Sequence, residues 1–158
     1  MLGCPVSVVS GDHFTWPDYP EDTWAVAKLL TNANREYYGN YWSASGQDRA
    51  EFVLDLGCKK TVNLVELVNT HNAHIRDRSM KEFKVFLSDS SEGPWEEVVH
   101  QTLEDSRQQD DPLPVQTFSF PERTARFVKF NQYSYYGASG GLQYFAVTSA
   151  TQGISVIT

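Results

Sequence analysis

The residues best suited to chemistry in this 158-residue chain are concentrated in one segment, residues 69–79. The side chains of interest in this segment are His71, Asn72, His74, Arg76, Asp77 and Arg78. Apolar, alternating stretches precede and follow it, which predicts a loop between two strands. Polar loops held by stiff strands are typical of binding sites, so we expect ligand recognition here rather than catalysis.

Two patterns that would indicate an enzyme fail on their context. Residues 137–141 match the Gly-x-Ser-x-Gly nucleophile elbow around Ser139, but a strand pattern follows where a helix is needed, and no histidine lies downstream. The spacing of His71, His74 and Asp77 fits neither a zinc-protease helix nor a zinc finger. We therefore predict a protein without enzymatic activity and without a catalytic metal.

Composition and charge narrow the class of protein further. Hydrophobic residues make up 41% of the chain, aromatic residues 13% and charged residues 21%, as in a folded globular protein. The length predicts one domain, residues 1–158. A formal net charge of -7 argues against a nucleic-acid partner, because binding to phosphates needs clustered cations. No apolar run reaches the roughly 20 residues that a membrane-spanning helix requires.

The strand pattern predicts an all-β fold. Alternating or fully apolar stretches predict seven strands, over residues 50–56, 62–68, 82–88, 95–102, 115–120, 126–131 and 142–148. Seven short strands separated by turn-forming residues indicate an antiparallel β-sandwich. One short N-terminal helix is predicted over residues 22–30, with Trp24, Ala27 and Leu30 on one face. The acidic stretch 104–111 is interpreted as a solvated loop.

The two cysteines and the N-terminus bear on the cellular compartment. Cys4 and Cys58 can either remain buried free thiols, the interpretation we favour, or form one disulfide. The N-terminus has no charged leader followed by an apolar core, and the chain has no Asn-x-Ser/Thr acceptor. Both observations favour an intracellular protein without excluding a secreted one.

Five short motifs, read in order, resemble the discoidin or coagulation factor 5/8 type C family. They are Tyr-Trp-Ser-Ala-Ser at 41–45, Glu-Phe-Val-Leu-Asp-Leu-Gly at 51–57, Arg78 with Phe-Lys-Val-Phe-Leu-Ser at 83–88, Trp95, and Arg-Thr-Ala-Arg-Phe-Val-Lys at 123–129. The resemblance covers residues 24–148 and implies a jelly-roll, galactose-binding-like sandwich. It also favours an extracellular protein.

The resemblance implies a carbohydrate site on loops at one end of the sandwich. Sugar-binding members use a cationic or imidazole group and an arginine about seven positions later, and His71 and Arg78 stand in that relation here. Asn72 and His74 are the next polar candidates. The candidate aromatic platforms in these loops are Trp42, Tyr135 and Tyr136. The expected ligand is a galactose- or fucose-type glycan.

Other partners follow from the same resemblance. Many members hold calcium near the start of the domain, but this chain has Asn32 and Asn34 in the corresponding loop and no glutamate in the last strand. Calcium prefers carboxylate oxygens, so we expect no tight calcium site. The main alternative function is a protein-interaction module within a larger chain or oligomer. Binding to phospholipid is the weaker reading, because the chain is acidic overall.

Overall fold

The computed structural model describes residues 4–31, 41–44, 50–72 and 75–150. Within these residues, nine strands and one short helix follow one another: β1 (Ser7–Gly11), α1 (Lys28–Thr31), β2 (Trp42–Ser43), β3 (Ala50–Asn69), β4 (Arg78–Met80), β5 (Glu82–Ser88), β6 (Glu96–Thr102), β7 (Val115–Gln132), β8 (Tyr135–Gly137) and β9 (Gly141–Thr148). All strand pairings between these elements are antiparallel. None of the described helical residues forms a helix long and apolar enough to cross a membrane.

Two long strands, β3 and β7, belong to both layers of the sandwich. Their mutual register shifts between Asp55 and Lys60 and again between Val62 and Leu64, so each strand changes neighbours along its length. The first half of β3 pairs with β1 and the second half with β9. The second half of β7 also pairs with β5, which in turn pairs with β6. The register shifts therefore fold one continuous sheet into two facing layers.

Aromatic rings from both layers form the centre of the core. The Phe52 and Phe130 rings stack with their centroids 5.0 Å apart, and both contact Phe145 of β9 edge to face. Trp42 lies edge-on to Phe52 at 5.1 Å and is fully buried. Rings of this size bury large apolar areas, and their mutual contacts add specific geometry. The period-two pattern of the sequence supplies these inward-facing positions.

The predicted all-β sandwich is confirmed, with strands longer than expected. Predicted strands 50–56 and 62–68 are both parts of β3, and 115–120 and 126–131 are both parts of β7. Strands β1, β2, β4 and β8 were not predicted, because they are too short to show alternation. The predicted helix over 22–30 is not confirmed over that range. Turns precede α1, which has only four residues, and Val26 and Leu29 are the buried apolar side chains.

The cysteines form a disulfide, so the expectation of free thiols is wrong. Cys4 and Cys58 are bonded across a sequence separation of 54 residues. The backbone beside the bridge is tightly packed, because Gly57 has a φ of +93° and a Cβ there would lie 2.6 Å from Cys4 Cβ. Glycine is needed for both reasons. The bridge fastens the segment before β1 to β3 at one end of the sandwich, which we call the disulfide end.

The acidic loop, residues 104–111, is not simply solvated. Ser106 is fully buried and donates a hydrogen bond of 2.6 Å to the carbonyl oxygen of Thr70. Its amide also donates to Oγ of Ser79 at 3.0 Å. Leu103 and Leu113, just outside the loop, are buried as well. The loop therefore packs onto the segment 69–79, at the end of the sandwich opposite the disulfide.

Candidate ligand-binding site

A groove with a cavity volume of about 300 Å³ lies beside the segment 69–79. One side is formed by five aromatic side chains, which we call the aromatic wall: Phe14, Trp16, Tyr19, Trp24 and Tyr41. The other side is formed by Asn72, Asp77 and Arg78, which we call the polar base. Ile75 completes the lining at the mouth. The volume is at the lower end of the range for small-molecule sites.

The wall comes mainly from residues 12–24, a segment that follows β1 and is tied to β2 by hydrogen bonds. The amide of Phe14 donates to the Ser43 carbonyl at 2.8 Å, and the amide of Ser43 donates to the Trp24 carbonyl at 3.2 Å. The indole N–H of Trp42 donates to the Asp12 carbonyl at 2.9 Å. The segment has little regular structure, but β2 fixes both of its ends.

Neighbouring rings of the wall contact each other, and their solvent exposure differs from ring to ring. Phe14 stacks near Trp16 with centroids 5.8 Å apart, and Trp24 contacts both Phe14 at 5.3 Å and Tyr19 at 5.4 Å. Trp16 is 58% exposed and Tyr19 is 56% exposed. Exposed rings braced by neighbouring rings form a rigid apolar surface that costs little conformational entropy to use.

The two exposed rings are the first and last residues of one β-turn. The amide of Tyr19 donates to the Trp16 carbonyl at 3.2 Å, with Pro17 and Asp18 between them. Asp18 has a φ of +72°, which is the left-handed conformation that the third position of a type II turn requires. Proline suits the second position, because its φ is fixed near the required value. The turn therefore presents Trp16 and Tyr19 side by side.

The polar base is a directed chain of hydrogen bonds. Trp24 donates to the hydroxyl of Tyr41, which donates to Asn72 Oδ1 at 2.6 Å. Asn72 then donates through Nδ2 to Asp77 Oδ1 at 2.9 Å. Because a carboxylate can only accept, this order fixes the orientation of the Asn72 amide. This series of hydrogen bonds ends on the Asp77 carboxylate.

Arg78 is a second donor to the Asp77 carboxylate, besides Asn72. Its Nε donates to Asp77 Oδ1 at 3.2 Å, its Nη1 donates to Oγ of Ser43, and its guanidinium lies 5.3 Å from the Phe14 ring centroid. The residue is only 9% exposed. Within the described part of the chain, Oδ2 of Asp77 and Nη2 of Arg78 have no hydrogen-bond partner. One acceptor and one donor are therefore left for a ligand.

Burial and hydrogen bonding set the ionisation of the groove. Burial alone would raise the pKa of Asp77, but hydrogen bonds from Asn72 and Arg78 and the charge of Arg78 hold that pKa below its ordinary value of 3.8. Burial is also the largest influence on Tyr41 and raises its pKa above 10.0, against the opposing effects of Arg78 and Trp24. At neutral pH, Asp77 is therefore a carboxylate and Tyr41 a neutral hydroxyl.

The acidic loop supports the polar base from behind. Nη1 of Arg76 donates to the carbonyl oxygens of Arg107 and Gln109, each at 2.9 Å. Nε2 of His71 lies 3.2 Å from Asp111 Oδ1. Burial, as the largest cause, lowers the pKa of His71 below 6.5, and the attraction of Asp111 offsets it only in part. His71 is thus a neutral ring at neutral pH, placed between two loops.

The structure places some of the predicted site residues in the groove and others away from it. Asn72 and Arg78 line the groove, and their contact with a ligand stays a prediction. His71 is 1% exposed and lies behind the groove, so the expectation of a direct ligand contact is corrected to a supporting position. Trp42 is fully buried and cannot serve as a platform. His74, and the predicted remnant calcium loop at Asn32 and Asn34, lie outside the described residues.

The two tyrosines of β8 are placed away from the groove. Tyr136 donates to the Leu103 carbonyl at 3.0 Å, and Lys81 Nζ and Arg107 Cζ lie 5.3 Å and 5.9 Å from its ring centroid. Tyr136 therefore anchors the start of the acidic loop. Tyr135 is partly exposed and is not among the groove-lining residues. Neither ring lines the groove, and the platform role of Tyr135 and Tyr136 stays a prediction.

Sequence reasoning missed the part of the wall that precedes residue 24 and the role of Trp24 within it. The available signal was local: Phe14, Trp16, Tyr19 and Trp24 give four rings in eleven residues, with two prolines among them. Such a stretch has neither strand nor helix periodicity, and it precedes the motifs that carry the family resemblance. Density of rings in an irregular segment was therefore the feature to follow.

The described residues contain no arrangement that matches the rejected catalytic patterns. Ser139 is buried and donates a long hydrogen bond of 3.4 Å to the Ala44 carbonyl, between β8 and β9 rather than before a helix. No group of three or more potential metal ligands occurs in the parts of the chain that the structure describes. Among the described residues that line the groove, the one carboxylate is that of Asp77.

Together these features define a jelly-roll-like β-sandwich with an aromatic groove at one end. A model of the F5/8 type C domain matches residues 15–145. The chain therefore belongs to the F5/8 type C domain family. A search of curated protein sequences gave no match.

Solved structures with the same fold include modules from carbohydrate-active enzymes. A Ruminococcus gnavus GH29 fucosidase superposes with a TM-score of 0.70 at 17% identity, covering 94% of this chain and 26% of the fucosidase. Chitosan-binding module 1 of a Paenibacillus sp. IK-5 chitosanase/glucanase gives 0.64 at 18%, covering 94% and 96%. The family 32 carbohydrate-binding module of Streptococcus pneumoniae EndoD gives 0.65 at 14%, covering 92% and 96%. At these identities the similarity shows the fold alone.

Proposed function

We propose that this domain is a non-catalytic carbohydrate-binding module that holds a sugar between the aromatic wall and the polar base. The observation that carries the proposal is the pairing of two exposed rings, Trp16 and Tyr19, with an unused acceptor on Asp77 and an unused donor on Arg78 in one groove. This combination matches the two kinds of surface that a pyranose presents.

The physical fit follows from the structure of a sugar ring. One face of a pyranose carries mainly C–H groups, which pack against a flat aromatic ring. Its edges carry neighbouring hydroxyl groups, each able to donate and accept. Asp77 Oδ2 can accept from one hydroxyl while Arg78 Nη2 donates to the next. The hydrogen bonds to these charged groups are stronger than neutral ones.

The relatives support a glycan over other ligands. The solved structures include a module named for chitosan, a family 32 carbohydrate-binding module and a fucosidase in complex with fucose. A galactose- or fucose-type sugar, the class that the family resemblance implies, is the first to test. A binding role also fits the groove chemistry, since its described lining offers one carboxylate and no second acid or base to share a proton transfer.

The decisive experiment is a glycan array followed by titration calorimetry, with and without a calcium chelator. We expect binding of galactose- or fucose-type glycans that the chelator does not abolish. Trp16→Ala should weaken binding by about tenfold or more, because it removes an exposed platform without opening the core. Trp95→Ala is the matched control, since Trp95 lies outside the groove and contacts Lys129.

Three results would contradict the proposal. The first is an array on which no glycan binds above background. The second is equal loss of binding in Trp16→Ala and Trp95→Ala, because the groove would then not be the site. The third is capture of a stable protein partner that requires Trp16 in the absence of any glycan binding, which would favour the protein-interaction alternative.

A further inference from the structure

Three exposed hydrophobic side chains of the described chain meet in one groove. In the parts that the structure describes, the large hydrophobic residues with exposed side chains are Val6, Val9, Trp16, Tyr19, Ile75 and Val115. Trp16, Tyr19 and Ile75 all line the groove. Exposed hydrophobic residues are ordinary when they are scattered, whereas a group of them at one place indicates an interaction surface. Trp16 and Tyr19 already serve as platforms in the proposed function, and Ile75 has no role there.

Two anchored residues hold the backbone on either side of Ile75. The amide of Ile75 donates to the Asn72 carbonyl at 3.1 Å, which closes a turn that starts in the polar base. Asn72 has a φ of +60° and Arg76 a φ of +55°, a strained conformation that surrounding contacts must offset. The polar base anchors the Asn72 side chain, and the acidic loop anchors that of Arg76. Between these two anchors the Ile75 side chain is 57% exposed.

The side chain of Ile75 offers a ligand apolar surface and no hydrogen-bonding group. Branching at Cβ restricts its χ1, so little conformational entropy is lost when a ligand covers it. A methyl group that packs against it is removed from water, which is favourable. A hydroxyl packed against the same surface gains no hydrogen bond from it and loses those it made with water, which is unfavourable. Ile75 therefore distinguishes a methyl group from a hydroxyl group at one position of a ligand.

The apolar surface of Ile75 and the polar base belong to the same segment of the chain. Ile75 lies between Asn72 and Asp77 in sequence, and all three line the groove. In the proposed function, the aromatic wall covers the C–H face of a sugar, and neighbouring hydroxyls pair with Asp77 and Arg78. A further substituent on the edge of that sugar then lies at the mouth of the groove, where Ile75 is exposed.

We infer that the groove selects glycans with a methyl group beside the hydroxyls that the polar base binds, and that Ile75 makes this selection. The inference rests on the proposed carbohydrate-binding function and names the substituent that distinguishes its ligand. Two classes of sugar supply such a methyl group: 6-deoxy sugars carry it in place of the hydroxymethyl group, and N-acetyl sugars carry it on the amide. The apolar contact is the same for both, and the test separates them.

The test measures the ratio of affinities within pairs of sugars that differ at the methyl group. One pair is galactose and 6-deoxygalactose, taken in both the D and the L series. The other pair is N-formylgalactosamine and N-acetylgalactosamine. In NMR titrations the methyl-bearing sugar should bind about fourfold more tightly within at least one pair, the gain expected from removing one methyl group from water. Preference within either pair supports the inference, and the pair that shows it identifies the class of sugar.

Substitutions at Ile75 assign the preference to this residue. Ile75→Thr keeps the branching at Cβ but introduces a hydroxyl, so it should remove the preference for the methyl-bearing sugar. Ile75→Val keeps an apolar, branched side chain and should retain most of the preference. Val115→Ala is the matched control, because Val115 is also exposed, at 43%, and is not among the groove-lining residues. Its ratio of affinities should equal that of the parent protein.

The outcomes separate this inference from the function on which it rests. If these sugars bind and neither methyl-bearing partner binds more tightly, the methyl preference is wrong and the carbohydrate-binding function stands. A glycan on the array that binds through the groove and carries neither kind of methyl group would contradict the preference in the same way. If the preference survives in Ile75→Thr, Ile75 is not the residue that selects. If no sugar in the pairs and no glycan on the array binds, the proposed function falls and this inference falls with it.

Discussion

At the scale of single residues, Tyr41 decides how the polar base is presented to a ligand. Its hydroxyl accepts from Trp24 and donates to Asn72, and Asn72 donates in turn to Asp77. Tyr41 therefore connects the aromatic wall to the Asp77 carboxylate through hydrogen bonds that all point the same way. Without that hydroxyl, Asn72 Oδ1 loses its donor, and only the bond from Nδ2 to Asp77 still orients the amide. Tyr41 therefore both lines the groove and supports the acceptor on Asp77.

Replacing Tyr41 with Phe should show this effect directly. The change leaves Asn72 Oδ1 and the Trp24 donor unsatisfied in a largely buried place, so the free energy of unfolding should fall by about 1–3 kcal/mol. Glycan affinity should also fall severalfold, as measured by urea unfolding and calorimetry. Tyr19→Phe is the control, because it keeps an exposed ring of the same size. Unchanged affinity in Tyr41→Phe would show that the chain does not organise the site.

The ionisation of Asp77 predicts how binding of a neutral glycan depends on pH. Its folded-state pKa lies below 3.8, so the carboxylate persists throughout the neutral and mildly acidic range. Affinity should stay constant from neutral pH to about pH 5 and be lost only as the pH falls through the lowered pKa. Titrations across this range test the sign. Asp77→Asn, which cannot ionise, should bind weakly and without this acid limb.

Residue patterns in the sequence predicted some of these groups and not their partners. Asn72 and Arg78 were found because they lie in a polar loop between strong strand patterns. His71 was assigned to the ligand because nothing local revealed Asp111, which is forty positions away and lies 3.2 Å from the imidazole. Pairings between distant loops depend on how the whole sandwich brings its connections together. Local periodicity carries no information about them.

At the scale of elements, Arg76 holds the acidic loop against the segment 69–79. Its backbone has a φ of +55°, an unusual conformation for an arginine, and its side chain joins the segment 69–79 to the acidic loop. Non-glycine residues held in this region carry conformational strain, which surrounding contacts must offset. The hydrogen bonds to the Arg107 and Gln109 carbonyls provide those contacts.

Two substitutions at Arg76 distinguish the side chain from the backbone. Arg76→Gly relieves the left-handed strain and Arg76→Ala retains it, but both remove the guanidinium. Both should therefore speed hydrogen exchange of amides in residues 105–110 and weaken glycan binding severalfold. Of the two, Arg76→Gly should be the more stable. If amides of the acidic loop exchange in both variants as slowly as in the parent protein, Arg76 does not have this role.

Removing the disulfide should lower the stability of the fold without a comparable loss of glycan affinity. Cys4→Ser combined with Cys58→Ser should lower the free energy of unfolding by about 2–4 kcal/mol, because a long loop is no longer closed in the unfolded chain. Glycan affinity should stay within about twofold, since the groove lies at the other end and effects at distant sites are usually independent. Urea unfolding and calorimetry measure the two quantities. A large loss of affinity would mean that β1 transmits strain to the aromatic wall.

Elements with regular patterns were predictable, and irregular ones were not. Alternation in residues 82–88 and 126–131 identified strands that the structure contains, because one face of each is buried. The helix expected at 22–30 failed because hydrogen bonds to β2 hold this segment in turns that place Trp24 in the groove. Tertiary contacts there outweigh a modest helical preference.

At the scale of the whole molecule, the sandwich places its two described chain ends away from its groove. Cys4 is bonded to Cys58 at the disulfide end, and β1 runs from there toward the segment that forms the aromatic wall. The last described residue, Ala150, donates from its amide to Asn63 Oδ1 at 2.7 Å, in the half of β3 that begins at the disulfide end. The groove is at the opposite end, beside Asn72 and Arg78.

This arrangement has a practical meaning for multivalent display. A bead, a sensor surface or a neighbouring module attached through either described end would leave the groove facing outward into solution. Several copies on one support could then engage a polysaccharide together, and the effective concentration of the second copy would multiply a weak single-site affinity. The disulfide thus keeps the first described residue on the side of the domain away from the groove.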